Sequence, residues 1–176
     1  AITQCRIIIR DIIPEHIKPV LLKLEESGCK INRYNKDISI SCCGRPNAVD
    51  IIKTMPYPGF PTDMQAQMMA LMCIAKGTSI FIETIFENRY KYAEELIKMG
   101  ANIKIEGRAA IVKGVDNLMG AHVFSKDLRG GAALVLAGLA AEGTTIVDNV
   151  DIHIDRGYEN MDIKLMSLGA DVTKEK

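Results

Sequence analysis

The amino-acid sequence predicts an α/β fold of repeated strand–helix–strand–strand–helix units, with central helices buried behind sheets. Three observations predict it. A strand, an amphipathic helix and a glycine stop recur from Ile7 through Leu24 to Gly28, from Ile80 through Leu96 to Gly100-Ala101, and from Ile146 through Leu165 to Gly169-Ala170; such self-similarity marks a repeated structural unit. The segment Met64–Ala75 carries almost no polar face, and a helix apolar all round must be covered on every side. The same buried helix returns, since Asp63-Met64 leads to Ala75-Lys76-Gly77-Thr78 as Asp127-Leu128 leads to Ala141-Glu142-Gly143-Thr144. Alternating strands supply one-faced sheets to cover such helices.

Taken in order, residues 6–11 read as a strand. A helix follows with apolar positions at Ile17, Val20, Leu21 and Leu24, and Pro19 requires either a start later than Pro14 or a kink. Gly28 stops it. Strands are expected near 30–33, 37–41 and 49–52. Met55-Pro56-Tyr57-Pro58-Gly59-Phe60-Pro61 then keeps the chain irregular up to Pro61. Thr62 or Asp63 is placed to cap the helix that follows, because a short side-chain oxygen can accept a free N–H of the first turn. Residues 79–83 read as a strand and open the second unit, which is complete to Ala141. The first unit lacks a preceding buried helix, the third is expected to end after one returning strand at Lys176, and the chain begins without Met; all three suggest a piece of a longer protein.

Composition bounds the function. The chain has 176 residues, 48% apolar and 25% charged, with 22 basic and 22 acidic residues. A zero net charge argues against a generic nucleic-acid binder, which carries a basic excess. No apolar run approaches the ~20 residues of a membrane span, and no leader peptide is visible, so a cytosolic protein is expected. The five cysteines (5, 29, 42, 43 and 73) are odd in number and show no C-x-x-C. This spacing favours buried reduced thiols over a disulfide framework or a zinc site.

Repetition places polar residues at matching positions. Asp63 and Asp127 each open a buried helix, and Arg129 follows two residues on. The strand-to-helix loops carry Glu87-Asn88-Arg89 and Asp155-Arg156-Gly157. Around a shared axis these loops would converge with the two helix N-termini, which favour anions. Three arginines there suit a phosphate-bearing ligand, and an aspartate among them can act as a base on a hydroxyl. The competing reading is that these groups are helix caps and loop ion pairs. His153-x-Asp155 is half a metal site without further ligands. His16 and His122 read as surface residues, Cys42-Cys43 as a strand-end pair, and Gly130-Gly131 lacks the spacing of a nucleotide loop.

These residues carry a family resemblance. Phe60-Pro61-Thr62-Asp63-Met64-Gln65-Ala66-Gln67, Glu83-Thr84-Ile85-Phe86-Glu87-Asn88-Arg89, Asp127-Leu128-Arg129 and His153-Ile154-Asp155-Arg156-Gly157-Tyr158-Glu159 resemble the UDP-N-acetylglucosamine enolpyruvyl transferases, over all 176 residues. The resemblance implies an inside-out α/β barrel, this chain (residues 1–176) forming most of one of two domains as the C-terminal part of a chain more than twice as long. It implies transfer of enolpyruvyl from phosphoenolpyruvate to the 3-hydroxyl of UDP-N-acetylglucosamine, the first committed step of peptidoglycan synthesis, in an interdomain cleft and without a cofactor. Enolpyruvyl transfer to shikimate 3-phosphate is the sister activity, and a non-catalytic UDP-sugar binder is the rival from another class. Position by position, Asp63 matches the aspartate at the sugar 3-hydroxyl, Ile85 a backbone contact to the UDP-sugar, and Arg156 an arginine near the phosphate of phosphoenolpyruvate. Arg89, Asp127 and Arg129 match charged cleft residues. None of the five cysteines matches the family's catalytic cysteine, so this chain is expected to be inactive alone. An uncovered core edge would favour self-association.

Overall fold

A computed structural model describes residues 1–175. The repeat is visible in the strand pairing. In the first unit β1 (Arg6–Ile9), β2 (Lys30–Tyr34) and β3 (Asp37–Ser41) form an antiparallel sheet of order β1-β3-β2. In the second, β5 (Thr78–Ile82), β6 (Asn102–Glu106) and β7 (Ala109–Lys113) take the same order, β5-β7-β6. Each unit hands on to the next by a parallel pair. Strand β4 (Ile51–Lys53) joins β5, and β9 (His122–Phe124) joins β11 (Ile146–Asp148). The short pair β8 (Leu118–Met119) and β10 (Ala141–Glu142) is also parallel.

The amphipathic helices sit where the apolar spacing puts them. A 3-10 turn, Pro14–Ile17, precedes α1 (Lys18–Glu26), so Pro19 falls in the first helical turn, where its missing N–H costs nothing. The corresponding helices are α3 (Ala93–Lys98) and, after the short α5 (Val150–His153), α6 (Met161–Ser167). Gly28, Gly100 and Gly169 follow α1, α3 and α6 with φ of 97°, 90° and 90°. A side chain is disfavoured in that left-handed region, so three glycines end three equivalent helices for one reason.

The buried helix is α2 (Gln65–Cys73), in which every residue except Gln67 is buried. Its counterpart α4 (Leu128–Gly138) packs against it, along with β8, β11, α3 and α5. Phe81, Leu96, Met99, Ala110, Val112, Leu118 and Val123 close the core around the two helices. The C-terminal end of α2 is sealed by Arg45, which donates to the carbonyls of Ile74 (2.8 Å), Ala75 (3.2 Å) and Val115 (2.9 Å) and pairs with Asp116. Basic side chains favour helix C-termini because unpaired carbonyls collect there.

Four expectations need correction. Neither Thr62 nor Asp63 caps the buried helix; a 3-10 turn, Thr62–Met64, precedes it, and both side chains are spent on partners from other units. The second buried helix is not covered all round, because Val135 and Leu136 are half-exposed on the face away from α2. No strand follows α6 among residues 171–175, and α6 buries none of its own residues, since nothing in the described chain lies over Ile163 and Met166. The fourth concerns the thiols. Cys29 and Cys42 form a disulfide. The antiparallel register sets Lys30 opposite Ser41, so the next residues outward face each other with Cα atoms 4.5 Å apart, within disulfide reach. That proximity depends on strand register and is invisible in the spacing of the cysteines.

Cys5 and Cys43 are exposed, whereas Cys73 is buried in α2 and burial pushes its thiol up to about 12. Alkylation of the native, unreduced chain should therefore label Cys5 and Cys43 within minutes and leave Cys73 untouched until denaturant is added. Mass spectrometry of the labelled peptides checks this, and prior reduction should add Cys29 and Cys42 on unfolding.

Candidate functional site

The site is assembled at the N-terminal end of α2. The proline loop reaches it from β4 and is fastened at its far side, where Phe60 is buried and the Met55 N–H donates to the Phe60 carbonyl (2.9 Å). The following turn delivers Asp63, half-exposed, to two arginines. Asp63 Oδ1 accepts from Arg89 Nη2 at 3.0 Å, and Oδ2 accepts from Arg129 Nη2 at 2.7 Å. Arg89 stands on the loop between β5 and α3, and Arg129 is in the first turn of α4. The repeat thus brings both units' charges onto one carboxylate.

The arginines are themselves held. Arg89 lies over the Phe86 ring, 5.2 Å from its centre, and Arg129 lies over Tyr158 at 5.4 Å, distances at which a cation and a ring face attract. The Tyr158 hydroxyl accepts from Arg129 Nη1 and from Gln67 Nε2, each at 3.0 Å. Gln67 is the one residue of α2 left unburied and serves this network, while the helix's other polar residue, Gln65, is buried and accepts from the Tyr92 hydroxyl (2.7 Å). Among the described residues the buried Nε of Arg89 has no acceptor. The hydrogen bond from Arg129, with the charges of both guanidiniums, holds the Asp63 carboxyl below its ordinary value of 3.8 and outweighs the opposing effect of partial burial. The same bond raises Arg129.

The remaining predicted residues divide. Asp127 is the N-cap of α4, with Oδ1 accepting from the backbone N–H of Arg129 (3.0 Å) and Gly130 (2.8 Å). It also borders, with Phe86, Arg89, Lys91 and Lys126, an open cavity of about 260 Å³ beside the ion pairs. Ile85 is 39% exposed on the Arg89 loop, and its N–H is committed to Glu83 Oε1 (2.8 Å). Its carbonyl is therefore the backbone group it can offer a ligand. Arg156 is exposed on the loop after α5, where its Nε approaches the His153 carbonyl at 3.4 Å; it makes no contact with Asp63. His16 and His122 are exposed, as expected. Among the described residues no group of three or more His, Cys, Asp or Glu gathers as metal ligands. Asp155 of the half-site pairs instead with Lys174.

Sequence reasoning missed two members. Tyr158 and Glu83 lie inside the quoted motifs, yet their roles depend on partners 21 to 91 residues away. The only local signal was their presence beside charged neighbours in the recurring loops.

Fold and site together define a class. The family described as EPSP synthase (3-phosphoshikimate 1-carboxyvinyltransferase) matches residues 1–165. The solved enolpyruvyl transferase NikO of Streptomyces tendae superposes with a TM-score of 0.79 at 26% identity, over 88% of this chain and 36% of that one. An EPSP synthase of Acinetobacter baumannii shares the fold, with a TM-score of 0.73 at 17% identity over 98% of this chain and 40% of that one. Among curated relatives, UDP-N-acetylglucosamine 1-carboxyvinyltransferase 2 of Caldanaerobacter subterraneus subsp. tengcongensis is 53% identical over 174 residues, 99% of this chain and 42% of the relative. UDP-N-acetylglucosamine 1-carboxyvinyltransferase of Desulfofundulus thermocisternus is 52% identical over 170 residues, 97% of this chain and 69% of the relative. The chain belongs to the enolpyruvyl transferase family and, within it, to the UDP-N-acetylglucosamine 1-carboxyvinyltransferases. It spans about 42% of the length of the Caldanaerobacter relative.

Two outcomes follow from this geometry. Asp127→Ala should cost about 0.5–2 kcal/mol and Asp127→Asn far less, because asparagine caps a helix as well as aspartate does; urea denaturation measures both. Because the Asp63 pKa is lowered on folding, its pairing contributes stability in full above the unfolded value and loses it as pH falls through the folded one. The stability difference between the wild type and Asp63→Asn should hence be flat near neutrality and shrink in acid.

Proposed function

We propose that this chain is most of one domain of an enzyme that moves the enolpyruvyl group of phosphoenolpyruvate to the 3-hydroxyl of UDP-N-acetylglucosamine, a cytoplasmic transferase step that commits material to peptidoglycan. The observation that carries the reading is one carboxylate, Asp63, shared by two arginines from neighbouring repeats at the mouth of a buried helix. Relatives named for the UDP-sugar reaction at 52–53% identity favour this acceptor over shikimate 3-phosphate.

The reaction adds the sugar oxygen to C2 of the enol phosphate while a proton goes to the methylene carbon. It then expels inorganic phosphate and returns that proton. It needs a base for the hydroxyl, an acid for the carbon and cations for the phosphate. Asp63 is the base at the 3-hydroxyl. Held ionised by its arginines, it is ready to accept a hydrogen bond but weak as a base. An anionic ligand that engages Arg89 or Arg129 would loosen the pairs and raise its proton affinity. Arg89 and Arg129 thus both bind charge and tune the base, and Arg156 adds a third cation for phosphate. The Ile85 carbonyl meets the UDP-sugar, and Asp127 fixes the first turn of α4, from which Arg129 projects. The acid that protonates carbon lies outside this chain, in the part of the relatives it does not span.

Three measurements test the reading. Titration with UDP-N-acetylglucosamine should shift the amide resonances of Asp63, Ile85 and Arg89, and shikimate 3-phosphate should not; the reverse pattern would sink the assignment. In the longer parent chain, Asp63→Ala should lower kcat by about 10²–10⁴-fold, the usual weight of a general base. The 176 residues alone should show no turnover.

A further inference from the structure

Glu83 is 1% exposed, yet no part of the chemistry above uses it. It closes β5 and makes four side-chain hydrogen bonds. Oε1 accepts from the Thr54 hydroxyl (2.9 Å), the Ile85 N–H (2.8 Å) and the Phe86 N–H (3.1 Å); Oε2 accepts from the Thr62 hydroxyl (2.9 Å). The two oxygens face two different segments. Through Oε1 the carboxylate fixes the turn whose Phe86 ring lies under Arg89. Through Oε2 it fixes Thr62, the residue before Asp63. Thr54, at the end of β4, completes the tie by donating its hydroxyl to Glu83 while accepting from the Thr84 N–H (2.9 Å).

We propose that Glu83 is a positioning residue that sets the separation of Asp63 and Arg89, one carboxylate oxygen holding the segment of each. Burying a carboxylate is costly unless its lone pairs are filled, and here four donors from three segments fill them. Such a group specifies geometry more than it adds stability. The geometric statement concerns this chain alone; its bearing on turnover rests on the reading of Asp63 as the base.

The test follows the Asp63 carboxyl resonance by ¹³C NMR across the acid range, in the 176-residue chain and without ligand, so its outcome is independent of which substrate the enzyme takes. Glu83→Gln keeps an oxygen for the three donors on one side and presents an amide to the Thr62 hydroxyl, which can accept. It removes a neighbouring negative charge without moving the segments, so the Asp63 midpoint should stay or fall. Glu83→Ala removes all four bonds, so Arg89 should leave Asp63 and the midpoint should rise. That rise should match the rise in Arg89→Ala, and the double variant should add nothing further, since both act through one ion pair. A folded Glu83→Ala chain whose Asp63 titrates as in the wild type overturns the proposal, as does a rise in Glu83→Gln equal to that in Glu83→Ala. Should Glu83→Ala fail to fold, Thr62→Val removes the Oε2 bond alone. It must shift Asp63 in the same direction by a smaller amount, and no shift there is equally fatal.

Discussion

Enclosure of α2 is the constraint from which the rest of the structure follows. A nine-residue helix with eight buried positions satisfies its mid-helix backbone groups internally, but its apolar surface needs cover in every direction. No single sheet gives that. The chain meets the demand with β5 and β7 of the second sheet and with α4 laid against α2, while the first sheet, of the same strand order, closes a smaller cluster of its own on α1 around Leu21, Ile38 and Ile40. Repetition is therefore a packing requirement here, and it brings equivalent loops to the same end of the two helices.

That convergence explains why a chain of zero net charge carries so charged a site. Asp63, Arg89 and Arg129 come from the turn before α2, the loop after β5 and the first turn of α4, and Tyr158 reaches in from a third unit. Each guanidinium has a ring beneath it and an oxygen beside it, so neither is free to wander as an exposed lysine would. The arrangement is stiff and charge-balanced at rest. It holds a base in reserve, because disturbing the cations is what strengthens the carboxylate.

Much of this was legible in the residues. The repeat, the apolar helix, the glycine stops and the strands near 30–34, 37–41 and 78–82 follow from periodicity and from what glycine and proline permit, whereas two- and three-residue strands such as β8, β9 and β10 are too short to show a pattern. The two aspartates at the helix mouths were equally visible, but local reasoning gave both the same role, and only Asp127 is a cap. Asp63 differs because a 3-10 turn precedes its helix and two arginines distant in sequence reach its oxygens first. The Cys29–Cys42 bond and the carboxylate of Glu83 were beyond reach for a related reason. Strand register creates the first, and contacts across 21 to 29 residues define the second. The expected last strand failed differently, since a strand pattern forms no strand without a neighbour to pair with.

Arg45 makes the two ends of α2 unlike. By donating to the carbonyls of Ile74 and Ala75, the two residues after α2, and to that of Val115 beside them, it sets a positive charge against the negative pole of that helix. The positive pole receives no side-chain cap from Pro61, Thr62 or Met64. The aligned peptide dipoles thus act as a one-ended electrode buried in a low-dielectric sleeve, with its live end behind Asp63. An anion arriving beside Asp63 therefore meets, besides the two guanidiniums, a helix N-terminus that no side chain has capped, a place that favours negative charge.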